Sequence, residues 1–415
     1  MQLAARTVPA KTVPFAPDQE RSPARPEFSV LLERARALKP IFRDAARDTE
    51  TNRRVSKKTM DHLRDAELTK LVRPARFGGF EYGLPELAQI AFELGSVCGS
   101  TGWCGSLAMC YQWMTAFFPL EAQQDVWSDP DNLVAGSYQP SKECEIVQGG
   151  IKLAGMWPYA SNCENSQWLM LGALMQNAKG PPDVMWCLVP ITDMKVDQDT
   201  WFTSGLQGTG SKTVRIERPV FVPEHRMLRF AEIVAGTVPG KKIDDNNMSK
   251  FGFTTFGPTA LVSPVLGMAQ GALDCFIEMA KTKVRAAKPG MIVPMAASPM
   301  IQNKIGAASA TIESAYTLLV SSVAAAEDKV RRGVPLEVAE RVAIRRNQGF
   351  AAKQSVAVVN DLFAKEGAAG SDLAAPLQRF WRDVNAAALH LSLDWEAIAA
   401  MYGQQKLGLE PVGLY

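Results

Sequence analysis

At 415 residues the chain is too long for one ordinary core and long enough for two or three domains. Apolar residues make up 47% and charged residues 21%, the balance of a globular protein with a buried core. A formal charge of +2 gives no electrostatic case for nucleic acid or a membrane surface, and no run of 18 consecutive apolar residues suggests a transmembrane helix.

Residues 1–26 carry Pro, Lys and Arg but no apolar stretch of the secretory type, so they are expected to form a disordered leader. From 27 to 131 the pattern is helical. It opens with the amphipathic "FSVLLERARAL", breaks at the glycine turn of "RPARFGGFEYG", and resumes at Leu84. Ser100 and Thr101 read as the N-cap of the apolar helix "GWCGSLAMCYQWMTAFF", and Pro119 starts a short helix through Trp127. From 132 to 237 the grammar becomes β. "LVAGSY", "CEIVQGGIKLAG", "QWLMLGALM", "DVMWCLVPI" and "TVRIERPVFV" are short runs bounded by turn residues, with a hairpin expected at Gly149-Gly150 and an edge or bulge at Pro219. From 238 to 415 the chain is again helical, in long Ala-rich segments punctuated by Pro289-Gly290, Gly333 and Gly367, as in a bundle.

Seven cysteines without a C-x-x-C, and only three histidines, argue against a metal site; they read as reduced thiols in a cytoplasmic protein. "SGLQGTGS" places Gly205, Gly208 and Gly210 as G-x-x-G-x-G, and a strand pattern follows rather than a helix, so this is not a dinucleotide fingerprint. Ser161 reads either as a turn serine or as a hydroxyl offered to a heterocycle nitrogen. His390 lies at the junction of two helices in an apolar setting. Tyr111 and Trp113 cannot share a helix face, so the two need different roles. Arg285 reads as the last basic residue of its helix.

In chain order, "FGGFEYGLPELAQIAFELGSVCGSTGWCGSLAM", "YASNCENSQWLMLGAL", the 201–227 glycine loop with its strand, and "QRFWRDVNAAALH" resemble the acyl-CoA dehydrogenase fold. They are most similar to its flavin-dependent monooxygenase branch. That branch holds the oxygenase components of two-component aromatic hydroxylases, such as p-hydroxyphenylacetate hydroxylase, secosteroid phenol hydroxylase, dibenzothiophene monooxygenase and indole oxygenase. The resemblance covers about residues 27–411. It implies an α+β fold: an N-terminal helical domain, a central β-barrel domain and a C-terminal four-helix bundle.

The same resemblance implies an enzyme that receives reduced FMN, or FAD, from a separate NAD(P)H-flavin reductase. Reaction with O2 would give a C4a-hydroperoxide that hydroxylates a small aromatic or heteroaromatic molecule. Ser161 would face flavin N5, and His390 the C4a position. Ser137 would lie near substrate and isoalloxazine. Gly208, Thr209 and Gly210 would help hold the flavin, and Arg285 would meet its phosphate. Tyr111, with Trp113 and Ser137, would contact substrate; Tyr111 stands where several phenol hydroxylases carry a histidine. A homotetramer is implied by the Ala-rich helices. Two rival readings are a thioester-oxidising FAD enzyme of the dehydrogenase type and a catalytically silent helical scaffold. Against the first, "NAAALHLS" offers no carboxylate base.

Overall fold

The computed structural model describes residues 25–176, 182–243, 251–288 and 291–415, without the side chains of 285–288 and 291. All but the last two residues of the expected leader lie outside this range. Those two, Arg25 and Pro26, are tied to Tyr82: the guanidinium sits 3.6 Å from the ring centre, and the phenol donates to the Pro26 carbonyl at 2.6 Å.

Seven helices come first: α1 (Phe28–Ala37), α2 (Lys39–Asp44), α3 (Ala46–Thr51), α4 (Lys57–Asp65), α5 (Leu84–Gly95), α6 (Gly99–Thr115) and α7 (Leu120–Trp127). The cap of α6 is not the expected Ser100 or Thr101. It is Cys98, whose Sγ accepts the Thr101 amide at 3.5 Å, so the helix starts earlier than expected. A sulfur is a weak acceptor, and sequence rules for caps favour oxygen. Helices α5 and α6 lie close together because Gly102 meets Gly95 backbone to backbone; a Cβ on Gly102 would stand 2.6 Å from Gly95 Cα.

The strands follow as two four-stranded sheets. One has the order β1 (Val134–Ser141), β4 (Trp168–Met175), β5 (Asp183–Pro190), β8 (Met227–Arg229), with β1 and β4 parallel. The other has the order β2 (Cys144–Val147), β3 (Gly150–Ala160), β7 (Lys212–Pro223), β6 (Lys195–Asp197). Inward-facing Leu153, Trp157, Leu171 and Val214 join the two in one core, and Trp157 Nε1 donates across to the Gly172 carbonyl at 2.7 Å. The hairpin turn is Gln148-Gly149, with Gly149 at φ +77°, and Gly150 already pairs with Val147. Between the Leu153–Val220 and Gly155–Ile216 pairs, β7 spends two more residues than β3, and Pro219 lies in that bulge.

A short helix α8 (Phe230–Ala235) leads to α9 (Phe253–Thr282), the axis of the C-terminal bundle, with α10 (Pro299–Arg331), α11 (Val338–Phe363), α12 (Pro376–Ala388) and α13 (Trp395–Lys406) around it. Helix α9 is long and apolar enough to cross a membrane by length and composition, but its most apolar 18-residue window is 78% buried inside the protein, as a core helix must be. It stops earlier than expected. After Thr282 the chain turns into a two-stranded hairpin, β9 (Val284–Lys288) with β10 (Met291–Pro294), so Arg285 is a strand residue and not the end of a helix. The Pro289-Gly290 break lies outside the described residues.

Candidate active site

One face of α6 opens onto a cavity of about 920 Å³ enclosed by the helices and the β1 sheet. Trp103, Leu107, Cys110, Tyr111 and Met114 line it, at spacings of four, three, one and three. Those steps keep one stripe of a 3.6-residue helix in view over about 16 Å. Among the described residues the lining carries no Asp, Glu, Lys or Arg. A charge in so apolar a space would have to be neutralised or paired. Burial pushes the Cys110 thiol up to about 12, so it supplies no thiolate.

At the Trp103 end stand three hydroxyls in a row. Ser161 Oγ is 2.7 Å from Ser211 Oγ, which is 2.7 Å from Thr209 Oγ1, and Thr209 Oγ1 donates to the Leu206 carbonyl at 2.8 Å. Trp103 Nε1 donates to Ser161 Oγ at 3.4 Å. The backbone here is held in unusual conformations: Tyr159 and Asn162, on either side of Ser161, have φ of 63° and 62°, and Leu206 has 51°. Such residues persist only where the surroundings over-determine them, and they gather at sites. Ser137, on β1, donates to the Pro158 carbonyl at 2.5 Å.

His390 closes the same end. Its ring is edge-on to Trp103 with centres 5.9 Å apart, and the residue is exposed on the side that faces the cavity. Burial, then the nearby Arg345 guanidinium, pulls its pKa down to about 4, so it is neutral near pH 7. The Ser392 amide donates to Nδ1 at 3.1 Å, which leaves the ring proton on Nε2.

The far end is aromatic. Tyr138 stacks on Trp186 at 4.3 Å, Phe253 meets Trp186 edge-on at 5.1 Å, and Phe230 packs beside them. Tyr111 stands 6.1 Å from Tyr138, and Tyr138 donates to Met114 Sδ at 3.2 Å. Burial pushes both phenols up, so both stay protonated.

Comparison with known proteins gives this geometry its context. Residues 259–395 match the family model described as acyl-CoA dehydrogenase, C-terminal domain. The chain is 38% identical over 393 residues to the oxygenase component of the FADH(2)-dependent resorcinol hydroxylase of Rhizobium sp. (strain MTP-10005), covering 93% of this chain and 96% of that protein. The crystal structure of the HsaA monooxygenase from M. tuberculosis superposes with a TM-score of 0.87 at 30% identity, over 94% of this chain and 100% of that one. XiaF from Streptomyces sp., solved in complex with FADH2 and glycerol, superposes with a TM-score of 0.84 at 27% identity, over 93% and 97%. The chain belongs to the oxygenase components of flavin-dependent monooxygenases.

As an oxygenase component it uses reduced flavin and O2 to hydroxylate an aromatic molecule. The donor set fits a flavin ring: an apolar, uncharged space of sufficient volume, with the serine and threonine hydroxyls of Ser161, Ser211 and Thr209 gathered at the Trp103 end. Of the residues singled out in the sequence, Ser137, Ser161, Thr209, Tyr111 and His390 meet at this one cavity. Trp113 does not. It is a core residue, stacked on Phe256 at 3.9 Å on the opposite face of α6, so the expectation that it contacts substrate is corrected.

Gly208 and Gly210 also do not line the cavity. A Cβ on Gly208 would meet Thr49 at 2.4 Å, and one on Gly205 the Arg382 carbonyl at 2.1 Å, so these glycines let the loop wedge between α3 and α12. Gly210 needs its φ of +54° to turn the chain into β7. Between and after these two glycines, Thr209 and Ser211 are the residues of the loop that line the cavity. The Arg285 side chain lies outside the described residues. Sequence reasoning did not single out Trp103, Ser211, Tyr138, Trp186 or Phe253. The stripe of Trp103, Leu107, Tyr111 and Met114 was a usable signal. The partners from β5 and α9 had none.

Proposed function

We propose that this oxygenase component takes reduced flavin, FAD in preference to FMN, from a separate flavin reductase and hydroxylates a small electron-rich phenol. The uncharged, aromatic lining of the cavity is the observation that carries the reading. Preference for FAD and for a resorcinol-like ring follows the name of the 38% identical relative, the FADH(2)-dependent resorcinol hydroxylase. Reduced flavin and O2 together supply the oxygen atom: the substrate gains one oxygen in a C–H to C–OH conversion, the other leaves as water, and the flavin is oxidised.

The chain's own groups divide the rest. Ser161 holds N5 at the Trp103 end, and His390, neutral with its proton on Nε2, is a donor beside it. Tyr138, Trp186, Phe230 and Phe253 hold the substrate ring and exclude water, while the Tyr111 phenol meets its hydroxyl. Thioester dehydrogenation would need a carboxylate at the reacting carbon, and the described lining has none. We further propose a homotetramer acting in the cytoplasm.

The test is turnover with chemically reduced FAD, 18O2 and resorcinol, with the product read by mass spectrometry. A catechol-type product carrying one 18O supports the reading. Oxidation of an acyl-CoA by a protein that keeps FAD through gel filtration would sink it, as would consumption of reduced flavin giving only hydrogen peroxide across a panel of phenols.

A further inference from the structure

The three hydroxyls at the Trp103 end have a direction. At 2.8 Å from the Leu206 carbonyl, Thr209 Oγ1 must point its only proton at that oxygen, since otherwise two lone pairs would face each other. Thr209 can then only accept from Ser211, 2.7 Å away. Ser211, its proton committed, can only accept from Ser161, again at 2.7 Å. The Ser161 proton therefore points inward, away from the cavity that the residue lines. Trp103 Nε1–H, aimed at the same Oγ from 3.4 Å, agrees with an oxygen that accepts. All three residues are buried, with Thr209 1% exposed, and the Leu206 carbonyl, which can only accept, anchors the direction of the chain.

We propose that Thr209 and Ser211 are positioning residues that lock Ser161 as a hydrogen-bond acceptor toward the cavity, so that the site selects reduced over oxidised flavin. The inference rests on the proposed placement of N5 at Ser161. Reduced flavin carries a proton on N5 and can donate to this oxygen. Oxidised flavin presents a lone pair there, which would face a second lone pair. The redox preference of the site would thus be set by a carbonyl three residues before the first hydroxyl, through a relay that touches no flavin atom beyond Ser161.

The test is anaerobic titration of oxidised and reduced FAD into wild type, Thr209→Val, Ser211→Ala and Thr209→Ser, with Kd read from fluorescence or calorimetry. Wild type should bind reduced FAD more tightly. Thr209→Val and Ser211→Ala each free the Ser161 proton to turn outward, so the affinity for oxidised FAD should rise about 3- to 10-fold while that for reduced FAD changes little. Thr209→Ser keeps the carbonyl bond and should keep the wild-type ratio. A merely structural role would weaken both flavins together and overturn the proposal. So would equal wild-type affinities, or a ratio unmoved in both Thr209→Val and Ser211→Ala. Failure of wild type to bind either flavin would sink the functional reading itself, a distinguishable outcome.

Discussion

At the residue scale the site works through protonation states set by burial. If Ser161 holds N5, Ser161→Ala should release roughly three- to tenfold more hydrogen peroxide per reduced flavin consumed, the worth of one hydrogen bond. Its melting temperature should move by no more than about 2 °C, because truncating one hydroxyl opens almost no cavity. Two titrating groups oppose each other near by. His390, its folded pKa drawn down to about 4, leaves the unfolded chain the better proton binder, so its contribution falls as pH drops from 6.5 toward 4. Asp383, raised to about 6 by burial despite accepting the Leu206 amide at 2.6 Å and lying near Arg382 and Arg379, loses stability as pH rises from 3.8 through 6. Asp383→Asn should therefore expose a rise in stability from pH 4 to 6.5. His390→Gln should expose a fall from pH 4 to 6. Urea unfolding at four pH values checks both, and identical profiles in the two variants would contradict the assignment.

At the element scale α6 carries two separate duties on two faces. Tyr111 faces the cavity and Trp113 the core, so their substitutions should part company. Trp113→Ala removes a fully buried ring stacked on Phe256 and should cost about 3–5 kcal/mol of stability in denaturant unfolding. Tyr111→Phe should cost less than about 1.5 kcal/mol, yet change KM or the coupling of flavin oxidation to hydroxylation, because only a hydroxyl in the cavity is lost. Equal stability losses would mean the two faces are not distinct. The helix period in "GWCGSLAMCYQWM" makes this division legible in the sequence itself, since residues two apart on a helix point to different sides. The ends of elements are less so. Cys98 as a cap and the stop of α9 at Thr282 depend on a sulfur contact and on a hairpin that local propensity does not announce.

At the scale of the whole molecule, helix α10 leaves a face uncovered. Ala307, Ala310, Ser314, Thr317 and Ser321 are exposed at alternating spacings of three and four, a smooth stripe on which another helix can lie closely. Leu389 and Leu391, flanking His390, are 87% and 84% exposed at the cavity. The proposed tetramer would cover such surfaces. Light scattering at low micromolar concentration should give four times the chain mass, and Ala310→Arg should shift it toward smaller species. A monomeric wild type would refute the assembly.

What the sequence determined by itself was whatever repeats locally: helical periods before Asp131 and after Phe253, alternating strands between them, an edge or bulge at Pro219, and the glycine loop as a turn and not a dinucleotide fingerprint. The order of motifs was enough to name the family and to pick out Ser161, Ser137, Thr209, Tyr111 and His390. Tertiary structure alone decided what those residues share. Ser161 and Ser211 are fifty positions apart, and their 2.7 Å contact exists because Gly205 and Gly208 let the loop press between α3 and α12. Tyr138 and Trp186 come from β1 and β5, which are joined in the sheet only through β4, and Phe253 reaches them from α9. Local pattern records which face of an element is apolar. It does not record which other face will meet it, since that is set by packing between segments distant in the chain.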